Sequence, residues 1–246
     1  KSGGALPVEG GLVLAMDRFN RILGIDEQNL IARVECGVIT AVFQEAVEKL
    51  DLFYPPDPAS IKISTLGGNV AECAGGLRAV KYGVTRDYVL GLTAVLPTGE
   101  IIRTGVETIK GVVGYDLTRL LIGSEGTLAV VTEIIVRLVP KPAYRKTMMA
   151  FFETAAAAVE TVSAIIRSKI VPTALEFMDR TCIGCVDQDV GLAAPKGTGA
   201  LLLIEVDGDK TLATKEAKKV EAICSRQGAL EFRSASRVKD GEKLWE

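Results

Sequence analysis

The 246-residue chain has 48% hydrophobic and 24% charged residues and a formal net charge of -2, an ordinary globular composition that gives no electrostatic case for nucleic acid. Its five scattered cysteines are not a secreted disulfide framework and point to a reducing, cytoplasmic setting. The absence of any histidine excludes Ser-His and Cys-His catalysis, His-based zinc and haem ligation, and flavin attachment through imidazole.

A general base must therefore be Asp, Glu, Tyr, Lys or Cys, or lie outside the chain. No apolar run reaches the length of a membrane span. Residues 11–15 read as a short strand, 18–25 contain a second and 30–34 a third, with a polar turn at 26–29. These are antiparallel hairpin signals. Thr40 is placed to cap a helix whose apolar positions Val42, Phe43, Ala46, Val47 and Leu50 recur at helical spacing. Tyr54-Pro-Pro-Asp-Pro58 then makes a rigid extended turn.

A glycine-rich tract follows: Leu66-Gly-Gly-Asn-Val70, Ala74-Gly-Gly76 and Tyr82-Gly83. Residues 89–96 and 101–103 flank the turn Pro97-Thr-Gly-Glu100 as a hairpin. A short helix is expected over 115–122, and Gly123-Ser-Glu-Gly-Thr127 leads into a strand over 128–139. Pro140-Lys-Pro142 is the best domain boundary, dividing the chain into 1–140 and 141–246. Beyond it come strand 146–152, helix 154–166 capped by Thr154, strand 174–177 and a helical stretch 182–190. Strand 200–206, helix 210–224 and strand 229–232 complete a β-α-β-β-α-β order, the split ferredoxin-like pattern.

Twelve of the 25 glycines fall between positions 65 and 126. Each costs backbone entropy, so the cluster implies tight turns or a main chain that closely approaches a ligand. Backbone N–H groups from such loops suit a diphosphate. Ser64, Thr65, Asn69, Thr85 and Ser124 add side-chain donors around them. There is no Gly-x-Gly-x-x-Gly in a strand-turn-helix context and no Gly-Lys-Ser/Thr. A nicotinamide-type doubly wound domain and a P-loop hydrolase are accordingly disfavoured.

Four motifs in register carry a resemblance. They are Pro55-Pro-Asp-Pro58, the run from Ser64-Thr-Leu-Gly-Gly-Asn to Ala74-Gly-Gly76, Tyr82-Gly-Val-Thr-Arg-Asp-Tyr-Val-Leu-Gly91, and Gly123-Ser-Glu-Gly-Thr-Leu128 with Val131-Thr132. Together they resemble the FAD-linked oxidase family, and within it the FAD-binding subunits of glycolate oxidases and the D-lactate dehydrogenases. The resemblance implies an α+β fold: a partial PCMH-type FAD-binding domain followed by a partial ferredoxin-like cap. It places Pro55, Pro56 and Asp57 on the flavin side, and Ser64, Thr65, Gly67, Gly68 and Asn69 along the diphosphate and ring. Ala74, Gly75 and Gly76 would continue that wall. Tyr82, Gly83 and Thr85 would approach the flavin, and Gly123, Glu125, Gly126 and Val131 the adenine and ribitol. The family's first pyrophosphate loop survives only as Lys1-Ser-Gly-Gly4, and its histidine-containing catalytic stretch is not reached. The chain therefore reads as a fragment, with no metal ligands of its own and with FAD binding weakened or lost. A divalent metal belongs to the parent protein.

Arg78 and Arg86 are the cations nearest the flavin loops and candidates to clamp a substrate carboxylate; Lys81 is a weaker one. Glu176 lies within Ala174-Leu-Glu-Phe-Met-Asp179, facing either a cleft or solvent. Arg237 and Trp245 resemble the start of a cap segment that returns toward the active site. Cys182-Ile-Gly-Cys185 has redox or metal spacing but no second pair in sequence, and reads as incidental. The resemblance implies oxidation of a small D-2-hydroxy acid, with electrons passed to partner subunits that could hold the protein at a membrane periphery. The alternatives are an oxygen-using flavin alcohol oxidase and a non-catalytic subunit of a flavoenzyme complex.

Overall fold

The structure, a computed structural model, describes residues 6–7, 9–190, 192–235 and 245, with backbone alone at 187–190. The chain forms two compact units. The first runs to Ala74 and takes in Val84–Pro140; the second is Gly75–Gly83 with the chain from Lys141 onward.

The first unit opens with the hairpin β1 (Ile22–Asp26) and β2 (Ile31–Glu35). The Asp26 carboxylate shapes its turn, accepting from the Gln28 and Asn29 amides at 3.0 and 2.9 Å. The expected strand at 11–15 does not form. Leu12 and Val13 are exposed, and a strand without a ladder partner leaves its amides to water. Helix α1 (Thr40–Glu48) buries Phe43 and Val47. Thr40 is its first helical residue and not its cap, because the Thr40 hydroxyl is spent on the Ser64 carbonyl at 3.0 Å. Strand β3 (Leu52–Phe53) follows, and then α2 (Leu66–Glu72), a helix where the glycines predicted a loop.

The chain passes to the second unit for α3 (Ala79–Tyr82), then returns with β4 (Val89–Val95), β5 (Ile101–Gly105), α4 (Leu117–Leu121), β6 (Val130–Arg137) and β7 (Val139–Pro140). The sheet order is β1-β2-β6-β4-β5, and every pairing is antiparallel. Beneath it Tyr54 meets Phe43 and Tyr88 edge-on, at ring-centroid distances of 5.2 and 5.9 Å. Arg137 lies 4.7 Å over the Tyr88 ring. Such aromatic contacts add about 0.5–1.5 kcal/mol each beyond burial.

The second unit comprises β8 (Tyr144–Phe152), α5 (Ala155–Arg167), β9 (Ala174–Asp179), α6 (Arg180–Val190), β10 (Ala200–Gly208), α7 (Lys210–Arg226) and β11 (Glu231–Ser234). Its sheet order, β11-β8-β10-β9, is the ferredoxin-like one, antiparallel throughout. Alternation along β10 explains the layering. Ala200, Leu202, Ile204 and Val206 pack with Ala158 and Ile165 of α5 and Val220 and Ile223 of α7. Leu201 and Leu203 turn the other way, to Met149, Phe151 and Ile183. Further along that second face come Glu205 and Asp207, both buried. Thr154 caps α5 as its position predicts, accepting from the Ala157 amide at 3.2 Å. Asp209 caps α7, accepting from Thr211 and Leu212 at 2.8 and 3.2 Å.

Candidate functional site

The glycine motif folds as the first turn of α2. Thr65, in extended backbone, caps the helix by accepting from the Gly68 amide at 3.1 Å. The Leu66 amide donates to the Val38 carbonyl at 2.9 Å, Gly67 to Cys36 at 2.7 Å and Asn69 to Thr65 at 2.9 Å. The Gly67 and Gly68 amides are therefore occupied within the chain. Gly67 has a steric cause. A Cβ there would sit 2.6 Å from Cys36 Cβ and 2.8 Å from its carbonyl oxygen, so glycine is what lets α2 approach β2.

The far end of α2 receives the second glycine motif. Gly123 and Glu125 donate to the Val70 and Ala71 carbonyls at 2.9 and 3.0 Å. The turn needs left-handed backbone at Gly123 (φ 79°), Glu125 (54°) and Gly126 (72°). At Gly126 an added Cβ would meet open space. Strand β6 carries a bulge opposite Thr93 and Ala94. There Thr132 accepts the Cys36 amide at 3.0 Å and donates its hydroxyl to Thr93 at 3.1 Å. A bulge bends its strand and re-aims side chains, and Val130 and Val131 lie just before this one.

These pieces enclose a cleft of about 280 Å³ within the first unit. Five of the residues expected at the cofactor line it: Thr65, Gly67, Gly68, Gly126 and Val131. Ala71 and Ser124, which lie inside the sequence motifs, also line it, as do Met16, Cys36 and Leu121, which no motif marks in the sequence. Small residues leave room, apolar walls exclude water, and the Thr65 and Ser124 side chains supply hydroxyls. Burial pushes the Cys36 thiol up to about 11, so it stays protonated at neutral pH and is a wall, not a nucleophile. The volume lies at the lower edge of the range for small-ligand sites. The cleft thus fits part of a dinucleotide, and its small-residue lining suits close approach of one.

Other expected residues in this unit support the cleft without lining it. Pro55 and Pro56 are buried, and Asp57 half-buried. Gln44 Nε2 donates to the Tyr54 and Pro56 carbonyls at 2.8 Å each, fixing that extended segment. Ser64 and Asn69 join Thr40 in a buried network, with Asn69 Nδ2 donating to Thr40 Oγ1 at 2.8 Å. The Ala74 carbonyl accepts from both the amide and the hydroxyl of Thr85, at 3.0 and 2.7 Å. Thr85 also meets the Tyr54 phenol, whose pKa burial raises. Arg86 reaches the Ile122 carbonyl at a long 3.5 Å.

Gly75, Gly76, Arg78, Tyr82, Gly83 and Glu176 belong to the second unit. Gly76 accepts from the Ala79 amide at 3.0 Å to open α3, and Gly83 ends it at φ 83°. The Tyr82 hydroxyl donates to Asp207 at 2.8 Å. Glu176 stands opposite Leu203 on β9, and partial burial raises its pKa. Trp245 donates to Glu205 at 3.2 Å. Arg237 and the 1–4 loop lie outside the described residues. Among the described residues no three Cys, Asp or Glu side chains group as a metal site.

Residues 2–105 match the FAD binding domain family, and residues 141–246 match the C-terminal domain of FAD linked oxidases. The turn at Gly123–Gly126 falls between the two matches. The chain is 51% identical over 244 residues to the glycolate oxidase subunit GlcD of Bacillus subtilis, covering 99% of this chain and 52% of that protein. It is 41% identical to a D-lactate dehydrogenase of Anaerostipes hadrus, over 84% of this chain and 45% of that one. The chain thus spans about half the length of the curated relatives it matches. Among solved structures it superposes on an alkyldihydroxyacetonephosphate synthase with a TM-score of 0.78 at 25% identity, covering 94% of this chain and 45% of that one. For p-cresol methylhydroxylase the TM-score is 0.71 at 20% identity, over 89% and 48%, a likeness of fold. Two family matches, close relatives along the whole chain and a likeness of fold to solved structures agree: the chain belongs to the FAD-linked oxidases with a PCMH-type FAD-binding fold.

Proposed function

We propose that this chain is part of an FAD-dependent oxidoreductase that converts a D-2-hydroxy acid, such as glycolate or D-lactate, into the 2-oxo acid. The cleft that gathers Thr65, Gly67, Gly68, Gly126 and Val131 carries the reading, and the named activities of the relatives supply the substrate class. When bound, FAD supplies the two-electron acceptor. The residues of this chain hold and shape. The small residues admit the cofactor, the Thr65 and Ser124 hydroxyls offer hydrogen bonds, and the apolar walls exclude water.

Oxidation also removes the hydroxyl proton, and the protonated Cys36 thiol does not serve as that base. A guanidinium suits a substrate carboxylate because it can donate two parallel hydrogen bonds. Arg86, which makes a long contact to the Ile122 carbonyl, is one candidate and Arg78 another. Glu176 is a half-buried carboxyl whose raised pKa suits proton transfer. Electrons would leave to partner subunits. No helix among the described residues is long and apolar enough to cross a membrane, so a membrane association would run through those partners.

The test is anaerobic mixing of the flavin-loaded full-length protein with glycolate, D-lactate and L-lactate. Bleaching of the flavin absorbance by a D-2-hydroxy acid but not by L-lactate is the expected result. A spectrum unchanged by every 2-hydroxy acid would refute the substrate class.

A further inference from the structure

Helix α6 carries two cysteines that the cleft does not use. Cys182 and Cys185 are both exposed, whereas Cys36 and Cys224 are buried. Burial pushes the latter two thiols up to about 11 and about 12, which leaves them inert at neutral pH. The exposed pair lies three residues apart on one helix, so both thiols fall on the same face, one turn apart. Between them Ile183 is buried against Met149, Phe151, Leu201 and Leu203, which holds the helix to its sheet. The Asp179 carboxylate accepts the Cys182 amide at 2.8 Å. It also accepts from the Cys182 thiol, and that hydrogen bond raises the thiol pKa.

Gly184 completes the motif, and neither packing nor backbone angle requires it. A Cβ there would meet open space, and its φ lies outside the left-handed region. Glycine inside a helix is destabilising relative to alanine, so its presence asks for a reason. A disulfide supplies one. Cβ atoms three residues apart on a regular helix are about 5–6 Å distant, and a disulfide needs about 3.5–4.5 Å. The turn must tighten for the two sulfurs to join, and glycine yields most readily.

We propose that Cys182 and Cys185 form a reversible disulfide, with a low-molecular-weight disulfide such as that of glutathione as the oxidant. Cys185 attacks the small disulfide first, because Asp179 holds Cys182 as the thiol. One glutathione leaves with the Cys185 proton, and the other stays on Cys185 as a mixed disulfide. Cys182 Sγ then displaces it, and the Cys182 proton leaves with the second glutathione. Two protein thiols are oxidised to one disulfide, and one glutathione disulfide is reduced to two thiols. The inference needs no cofactor and stands apart from the functional reading above.

The experiment equilibrates the full-length protein with glutathione and its disulfide over a range of ratios, quenches with acid, alkylates, and maps peptides by mass spectrometry. Trypsin releases residues 181–196, which hold Cys182 and Cys185 and no other cysteine. The expected result is a peptide two hydrogens lighter that takes up no alkylating agent, in the same proportion from the oxidised and the reduced side. Cys182→Ser should stop at a lasting glutathione adduct on Cys185, and Cys185→Ser should react more slowly than that. Gly184→Ala should shift the equilibrium about fivefold toward the dithiol, the helix preference of alanine over glycine. A peptide that stays fully alkylatable in excess glutathione disulfide would overturn the proposal. So would a stable glutathione adduct with Cys182 intact. Equal bridging in Gly184→Ala would overturn the role given to the glycine.

Discussion

Gly67 and Gly126 sit in similar motifs for unlike reasons. Gly67 has ordinary backbone angles and no room, because Cys36 stands where its Cβ would go. Gly126 has room and an unfavourable backbone, at φ 72°. Gly67→Ala should therefore act by overpacking and destabilise the protein by about 1–3 kcal/mol. Gly126→Ala should cost about 1–2 kcal/mol through left-handed backbone alone. Urea unfolding midpoints check both. A second prediction concerns Glu35, whose carboxylate accepts the Arg21 amide at 2.8 Å and the Arg21 guanidinium at 2.7 and 3.1 Å. The Arg21 hydrogen bonds hold its pKa below the ordinary 4.5. A carboxyl lowered in the folded state contributes stability that is fully present well above its unfolded pKa. That contribution is lost as pH falls through the folded value. Glu35→Gln should thus lower the melting temperature near pH 7 and flatten its fall below about pH 5. An acid limb unchanged in Glu35→Gln would contradict the pairing.

At the scale of elements, caps are the clearest levers. Asp209 satisfies two amides at the start of α7, and Thr65 one at the start of α2. Asp209→Ala should cost about 0.5–2 kcal/mol, measurable as a lower urea midpoint with an unchanged slope. The elements that were legible in the sequence are those with local causes. The apolar run of β10, the Thr154 cap of α5 and the helical period of α7 each specify their own structure. Helix α2 was not legible, because two glycines in its first turn signal a loop. It forms through tertiary contacts, with its amides accepted by Val38 and Cys36, about thirty residues away. The Thr40 cap failed for a related reason: its hydroxyl is used by Ser64 and Asn69. At the site, the glycine motifs marked Thr65, Gly67, Gly68, Gly126 and Val131. Nothing local marked Met16 or Cys36. The tie from Asp207 to Tyr82 spans 125 positions, beyond any local pattern.

The whole molecule is two cores on one chain, an antiparallel sheet with its cleft and a ferredoxin-like sheet whose buried carboxylate holds Gly75–Gly83. The α+β class expected from the sequence is the one observed. The cleft lies within the first unit, and the chain spans about half the length of its relatives. The central claim is that this glycine-lined cleft holds FAD. It is tested most directly by mixing the purified full-length protein with FAD and recording the visible spectrum of the protein peak after gel filtration. A parallel sample carries Gly126→Val, which fills the open space at that turn. The account predicts flavin bands that elute with the unsubstituted protein and are diminished in the variant. A colourless protein peak, or equal flavin retention by Gly126→Val, would contradict it.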